Sequence, residues 1–316
     1  LGDVYKRQRH SFTNFRQGGS MSILRSSKEE ILDHLRTSVI TEAGKRTGFL
    51  GTTVPKLNVV RRVQQGQKLS FNEPYLALIL QGTKKTYIAD KSFTYTAGDI
   101  VITNLSLSSR TIVQEASSAR PFLSIVLTLD PLILSDVARR YGFDAFEEAD
   151  SSAMAVSQAD NDFLLAFARM SSLLEKEQNG IPLDRLYYEE LMLRLLASDL
   201  GSWALEIVSP DSRVSKITKA IDILKKDYKE SIRIGRLADA SNLSLSSFNR
   251  QFKALTGTTP LQYQKQLRLH EADRLLRFEK RSVSQAAFSV GYSSLAQFSG
   301  DYKKFFGQLP SQVSVG

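Results

Sequence analysis

Ser246, Ser247, Asn249, Arg250 and Lys253 fall at spacings that gather them on the outward side of one helix, provided that Phe248, Phe252 and Leu255 take the inward side. Short hydroxyls and an amide at a helix start, followed by Arg and Lys, suit a helix lying in the major groove of duplex DNA. The polar groups reach base edges, and the Arg fork fits a guanine or a phosphate. A helical bundle with solvated polar faces would present the same residue types, so one such helix decides little. Some fifty residues further on, Gln297, Ser299, Lys303 and Lys304 take corresponding places on a second helix. Two such helices in one chain would read successive grooves on one face of the duplex, about one helical turn apart.

The elements that must position these groups form an internal repeat. LADASNLSLSSFNRQFKALTGTTP (Leu237 to Pro260) lies over AAFSVGYSSLAQFSGDYKKFFGQLP (Ala286 to Pro310). Phe248, Phe252, Gly257 and Pro260 match Phe298, Tyr302, Gly307 and Pro310 at an offset of 50. Ala238, Asn242 and Leu243 match Ala287, Gly291 and Tyr292 at 49, so the second copy has one extra residue after its turn. Each copy reads as helix, tight turn, helix. Ala238 and Ala287 let two helices cross closely, while Asn242 and Gly291 tolerate the left-handed backbone of a turn. Ser244 and Ser293 are the expected caps of the second helices, and Ser282 with Gln285 forms a capping box. Helices are predicted at about 234–241, 244–256, 260–278, 283–290 and 294–306, preceded by one with Val214, Ile217, Ile221 and Leu224 in a buried stripe. The helix PLQYQKQLRLHEADRLLRFEK separates the units. Arg268 at its middle suits a structural ion pair or a phosphate contact equally.

Charge is distributed to match. From Pro210 to Gly316 there are 18 Lys and Arg against 9 Asp and Glu, whereas the remaining residues hold 24 of each sign. All of the net charge of +9 therefore sits in the last third, as expected of a phosphate-binding domain beside a neutral one.

The neutral part has a different texture. Ser26 or Ser27, three before Glu29 or Glu30, caps a short helix at 26–39. From Leu50 to Leu129, runs such as LNVVRRV, YLALIL, KKTYIA and RPFLSIVLTL are cut by turn residues, which predicts a small all-β barrel or sandwich. After Pro131 the period turns helical, with Phe163, Phe167, Met170 and Leu174 on one stripe. Pro182 starts a second helix in which Leu186, Leu193 and Leu200 recur every seven residues, a pattern open to core packing or to a dimer helix. Residues 1–20 read as a disordered tail or a non-native extension, because the first Met is Met21 and no apolar secretory segment precedes it.

At these motifs the chain resembles the AraC/XylS family of bacterial transcription regulators. RLADASNLSLSSFNRQFKALTG, LRLHEADRLL and SVSQAAFSVGYSSLAQFSGDYKKFFGQLP carry the resemblance, which spans about residues 212–312. Residues 50–130 are similar, more loosely, to the cupin-like sensory domains of that family, and residues 131–205 to its helical dimer region. The resemblance implies a signal-responsive regulator that is usually dimeric, acts near a promoter and contacts RNA polymerase. One position departs from the family: Gly300 stands where an Arg usually follows the Phe-Ser of the second recognition helix. That costs a cation and about 0.5–1 kcal/mol of helix propensity relative to Ala. Ala296 adds little reading capacity, so the first unit is expected to carry most of the specificity.

Enzymatic chemistry finds little support. There is no cysteine, and the three histidines (His10, His34 and His270) all lie outside the β-rich region, which argues against a histidine metal site there. No phosphate loop, dinucleotide glycine pattern or nucleophile elbow is present. Asp99 and Glu73 are single carboxylates in turns. No catalytic residue, metal or cofactor is therefore assigned. A pocket inside the barrel would be lined by Tyr75, Leu78, Leu80, Tyr87, Phe93 and Ile125, and a filled apolar core is the competing expectation. Arg61, Arg62 and Arg110 could meet an acidic ligand.

The expected architecture is α+β and multidomain. A tail (1–20) precedes a β-barrel sensor with a helical dimerisation region (21–205), a linker (206–212) and an all-α domain with two helix-turn-helix units (213–316). The expected partners are double-stranded DNA, RNA polymerase, a small-molecule effector and a second copy of the chain. The expected setting is cytoplasmic, with which the absence of cysteine is compatible, and no apolar run of eighteen residues would form a transmembrane helix. A regulator whose β-domain only dimerises, and a small-molecule-processing barrel fused to a DNA-binding module, are the alternatives.

Overall fold

The computed structural model describes residues 27–88, 90–143, 152–175 and 183–313. The expected tail, His10 and Pro182 lie outside the described residues.

Helix α1 (Lys28–Ala43) starts at Ser27, whose hydroxyl accepts from the Glu30 amide while the Glu30 carboxylate accepts from the Ser27 amide at 2.6 Å. This reciprocal box satisfies two of the helix's orphan donors. Then follow β1 (Gly48–Gly51), β2 (Leu57–Arg62), β3 (Gly66–Asn72), β4 (Tyr75–Gln81), β5 (Lys84–Ile88), β6 (Lys91–Tyr95), β7 (Asp99–Thr103), β8 (Leu107–Val113) and β9 (Phe122–Thr128). After α2 (Pro131–Arg140), β10 (Met154–Gln158) returns to the sheet. All pairings are antiparallel, in a six-stranded sheet of order β1-β2-β9-β4-β7-β10 and a four-stranded one of order β3-β8-β5-β6.

Helices α3 (Asn161–Ser171), α4 (Leu183–Leu196) and α5 (Gly201–Val208) join α1 on the outer face of the larger sheet. There Leu76, Leu78, Leu80, Ile125 and Leu127 pack with Leu35, Phe163, Phe167 and Leu191. The opposite face turns Val60, Ala77, Ile79, Val101 and Val126 toward the interior shared with the smaller sheet. Strands apolar on both faces are what a sheet covered on both sides requires.

Three expectations are corrected here. Strands β1, β3 and β10 lie outside the anticipated runs; β10 sits in the stretch read as helical, and it pairs with β7 through Met154–Gln158. The heptad leucines do not share a helix, because the chain turns at Ser198 and Asp199 between α4 and α5. Leu186 is exposed, Leu193 half-buried and Leu200 buried.

The C-terminal part follows the expected helices closely: α6 (Arg213–Lys226), α7 (Ile234–Ala240), α8 (Leu245–Thr256), α9 (Pro260–Arg277), α10 (Val283–Ser289) and α11 (Leu295–Phe306). Val214, Ile217, Ile221 and Leu224 are buried as anticipated. This part docks on the open end of the sheet pair. Tyr263 donates to the Ser106 carbonyl at 2.7 Å, and Lys225 pairs with Glu73, which also accepts from the Ser106 hydroxyl. The Phe71 ring stands edge-on to Tyr263, 5.7 Å between centroids.

Candidate nucleic-acid interface

Helix α8 is set by its two ends. Asn242 takes the turn with φ +53°, the left-handed value that an Asn tolerates. Ser244 caps the helix by accepting from the Ser247 amide, and Gly257 closes it with φ +74°. Phe248, Phe252 and Leu255 are buried, with Phe252 edge-on to Tyr263 of α9. That anchoring turns Ser246, Asn249, Arg250 and Lys253 outward as exposed side chains, with Ser247 half-buried. The Ser247 hydroxyl accepts from Gln251, and the Asn249 amide donates to the Leu245 carbonyl.

The second unit repeats the plan with one correction. Ser294, not Ser293, caps α11 by accepting from the Gln297 amide, so the extra residue of the second copy moves the cap by one place. Ser282 and Gln285 form the expected box on α10. Gly291 is demanded twice over. Its φ is +88°, and a Cβ there would stand 2.4 Å from the Lys229 carbonyl oxygen. Phe298 and Tyr302 are buried, and Phe305 is half-buried. Gln297, Lys303 and Lys304 are exposed, and Ser299 is half-buried. Gly300 is exposed, with no atom within 4 Å of where a Cβ would sit.

Among the described residues Arg250, Lys253, Lys303 and Lys304 enter no ion pair, whereas Arg274, Arg277 and Arg281 are each held by an acidic neighbour. The four open cations lie on the two capped helices, where a polyanion can reach them.

Arg268 is placed differently. Its guanidinium donates to the carbonyls of Tyr228, Lys229, Glu230 and Gly291, at 2.6 to 3.1 Å. Gln264 adds two bonds to Tyr228 and Glu230. Together they staple the loop after α6 to the turn of the second unit, a role that sequence spacing did not reveal. Asp273 and Asp301 fasten α11 to α9 and to the turn before it. Tyr302 donates to Asp273 at 2.5 Å, Lys265 to Asp301 at 3.0 Å, and Tyr292 to Asp301 at 3.2 Å. Burial first, and then the neighbouring carboxylates, push both tyrosine hydroxyls far above their ordinary pKa.

Of the residues expected to line a barrel pocket, Tyr75 borders a cavity of about 910 Å³ between the sheets and α9. Leu78, Leu80 and Ile125 face the helix layer instead, because β4 and β9 are apolar on both sides and their parity cannot be read from composition. Tyr87 lies beneath Arg110 and Lys85, with the Arg110 guanidinium 4.3 Å from its ring centroid, and does not border the cavity. Phe93 packs in the interior without bordering the cavity. Arg62 does line it, together with Lys68 and Lys84, which the sequence reading passed over. Glu73 and Asp99 are structural: Glu73 holds Lys225, and Asp99 accepts from the Thr96 amide. Among the described residues no cluster of three His, Cys, Asp or Glu could hold a metal, and no helix is long and apolar enough to cross a membrane.

Comparison with known proteins gives two family matches. Residues 53–203 match the family of AraC-type transcriptional regulator N-termini, and residues 237–314 match a helix-turn-helix domain family. The HTH-type transcriptional activator RhaS of Pectobacterium carotovorum is 32% identical over 144 residues, 46% of this chain and 51% of that one. RhaS of Escherichia fergusonii is 29% identical over 157 residues, 50% of this chain and 56% of its own. The chain thus spans about half the length of the curated relatives it matches. In fold it is similar to an apo ToxT variant from Vibrio cholerae, with a TM-score of 0.57 at 15% identity over 81% of this chain and 95% of that one. ToxT with an unsaturated fatty acid bound gives 0.54 at 14% identity, over 81% and 93%.

Proposed function

Since the chain belongs to the AraC/XylS family of transcription regulators, we propose that it binds specific duplex DNA through α8 and α11 and regulates transcription from nearby promoters. The observation that carries the reading is the pair of capped helices whose exposed faces hold Ser246, Asn249, Arg250, Lys253, Gln297, Lys303 and Lys304 with the cations unpaired. Ser247 and Ser299, half-buried at the margins of these faces, serve as phosphate or sugar contacts. Arg268 acts indirectly by fixing one unit against the other. The first unit supplies most of the base discrimination, because α11 has Ala296 and Gly300 where reading or anchoring groups could stand.

The N-terminal part, residues 21–205 with a linker to 212, serves as the sensor, and its cavity receives a small-molecule effector. A fold likeness to ToxT, solved with a fatty acid bound, supports a ligand-holding role. Exposed Leu132 on α2 and exposed Leu186 on α4 support a homodimer formed through this helical layer. Contact with RNA polymerase and a cytoplasmic setting complete the reading, and no catalytic step is assigned.

The test is selection of genomic fragments by the full-length chain, followed by titration of the enriched duplex and a scrambled one. Preference for the enriched site by about a thousandfold is expected. Equal affinity for both removes the regulator reading.

A further inference from the structure

The interior of the sheet pair is not the apolar filling that a purely structural barrel would have. In the smaller sheet Lys68 stands opposite Thr111, which stands opposite Thr86. One row along, Gly66, Val113 and Lys84 are in register. These positions share one face, so Lys68, Lys84, Thr86 and Thr111 turn the same way. Thr86 and Thr111 are buried, and the Thr86 hydroxyl lies 2.7 Å from that of Tyr95. From the larger sheet, Arg62 stands opposite Phe122, and the Lys84 ammonium is 5.6 Å from the Phe122 ring centroid. Arg62, Lys68 and Lys84 thus line one cavity beside the paired Lys225 and Arg274, and none of these three forms an ion pair among the described residues.

The acids that border the same cavity are already engaged. Glu73 is held by Lys225, Glu271 by Arg274, and Asp273 by Arg277 and the Tyr302 hydroxyl. No acid of the lining pairs directly with the positive wall; Asp273, itself bound to Arg277, favours the Lys68 charge only through space. Burial lowers the pKa of all three cations; Lys84 comes down to about 8, with Arg62 and Lys68 adding repulsion. Desolvated, mutually repelling cations are costly to a fold that gains nothing from them. The lining also offers an apolar and aromatic side, with Val60, Phe71, Tyr75, Phe122, Leu267 and Phe278, beside polar groups such as Asn58, Gln64 and Gln67. A volume of about 910 Å³ falls in the range of small-molecule sites.

We propose that this cavity binds an amphipathic organic anion, its carboxylate or phosphate head held by Arg62, Lys68 and Lys84 and its apolar body lying against Phe71, Tyr75 and Phe122. The proposal rests on the effector-responsive reading above and deepens it by naming the ligand chemistry. It also supplies a route to the DNA-binding part. Leu267 and His270 of α9, with Phe278 at its C-terminal cap, form the far wall, and α9 is the helix that spaces the two helix-turn-helix units. An occupant would touch the sensor and this spacer at once, so its binding free energy acts directly on how the recognition helices are presented.

Calorimetric titration of the full-length chain with decanoate, decyl phosphate and decanol tests the proposal. Decanoate and decyl phosphate represent the two head groups, and whichever binds more tightly identifies the source chemistry. Decanol keeps the apolar body and lacks the charge. Saturable 1:1 binding of at least one anion is expected, with decanol weaker by about tenfold or more and Lys84→Met weakening the anion by a similar factor. Three results would overturn the proposal: decanol binding as well as the anions, neither anion binding below about 1 mM, or a folded Lys84→Met chain retaining full anion affinity. The decanol comparison needs no variant, so it stands even if Lys84→Met misfolds. DNA binding by the ligand-free chain, measured alongside, separates the two levels. Intact DNA binding without anion binding removes only this inference, and loss of DNA binding removes the reading beneath it.

Discussion

His270 Nε2 and Ser108 Oγ lie 3.1 Å apart, joining α9 of the DNA-binding part to β8 of the sheet pair across 162 positions of sequence. Phe71 from β3 and Phe305 and Phe306 from α11 enclose the same ring, and Asp273 and Lys68 are the charged groups that act on it. Burial, the dominant cause, favours the neutral imidazole and brings its pKa down to about 4. An unfolded chain protonates the same ring near pH 6.5. Between these values the unfolded state holds the extra proton, so this group makes stability fall as pH drops from about 6.5 to about 4 and has no effect above that window. Wild type should lose roughly 2 kcal/mol more than His270→Phe over that interval. Thermal melts of both chains at pH 7, 5.5 and 4.5 check this, and parallel curves would contradict it.

Lys84 gives the opposite kind of test. Its ordinary pKa of 10.5 is lowered to about 8, first by burial and then by Arg62 and Lys68. Below pH 8 the folded state carries the full cost of the buried charge. As pH rises from 8 to 10.5 the folded state sheds its proton before the unfolded one does, and stability attributable to this group rises. Lys84→Met removes the cost and should stabilise the chain at pH 7 by about 1–2 kcal/mol, the shift being discounted for partial solvent access. A chemical denaturation midpoint that falls instead would show that the ammonium is favourably housed.

Arg268→Ala should cost about 2–4 kcal/mol, since four carbonyl acceptors lose a charged donor. Arg268→Lys should not restore it, because an ammonium cannot span the same fork of acceptors. Preference among duplex sequences should be unchanged at temperatures where the variant is folded. Altered base preference with normal stability would instead make Arg268 a reader of DNA.

Gly300→Arg places a cation on an open face of α11, where a Cβ meets nothing within 4 Å. It should stabilise the helix by about 0.5–1 kcal/mol and steepen the salt dependence of duplex binding by about one counterion. Anisotropy titrations at several salt concentrations measure the slope; an unchanged slope would mean that α11 does not approach the backbone.

Much of the C-terminal part was legible because its signals are local. Ser244, Asn242, Gly257 and their counterparts mark helix ends by backbone chemistry alone, and the repeat aligns them twice. The misplaced cap at Ser293 shows the limit: two adjacent serines offer the same hydroxyl, and only the fold selects Ser294. The β-region was legible as strands but not as faces. Leu78 and Ile79 have similar composition and opposite surroundings, one under the helix layer and one in the interior. Lys68 and Lys84 carried no signal, since isolated lysines in strands are usually solvated; register across β3, β8 and β5 brings them together. Arg268 was ambiguous because its acceptors are carbonyls 23 to 40 positions away.

The central claim is that α8 reads base edges, and titration of the full-length wild type, Arg250→Ala and Lys303→Ala against the selected duplex and its scrambled control tests it most directly. The account predicts that Arg250→Ala loses about 1–3 kcal/mol on the selected duplex and little on the control, while Lys303→Ala weakens both alike. Wild-type affinity for Arg250→Ala on both duplexes, with Lys303→Ala failing on the selected one, would contradict it.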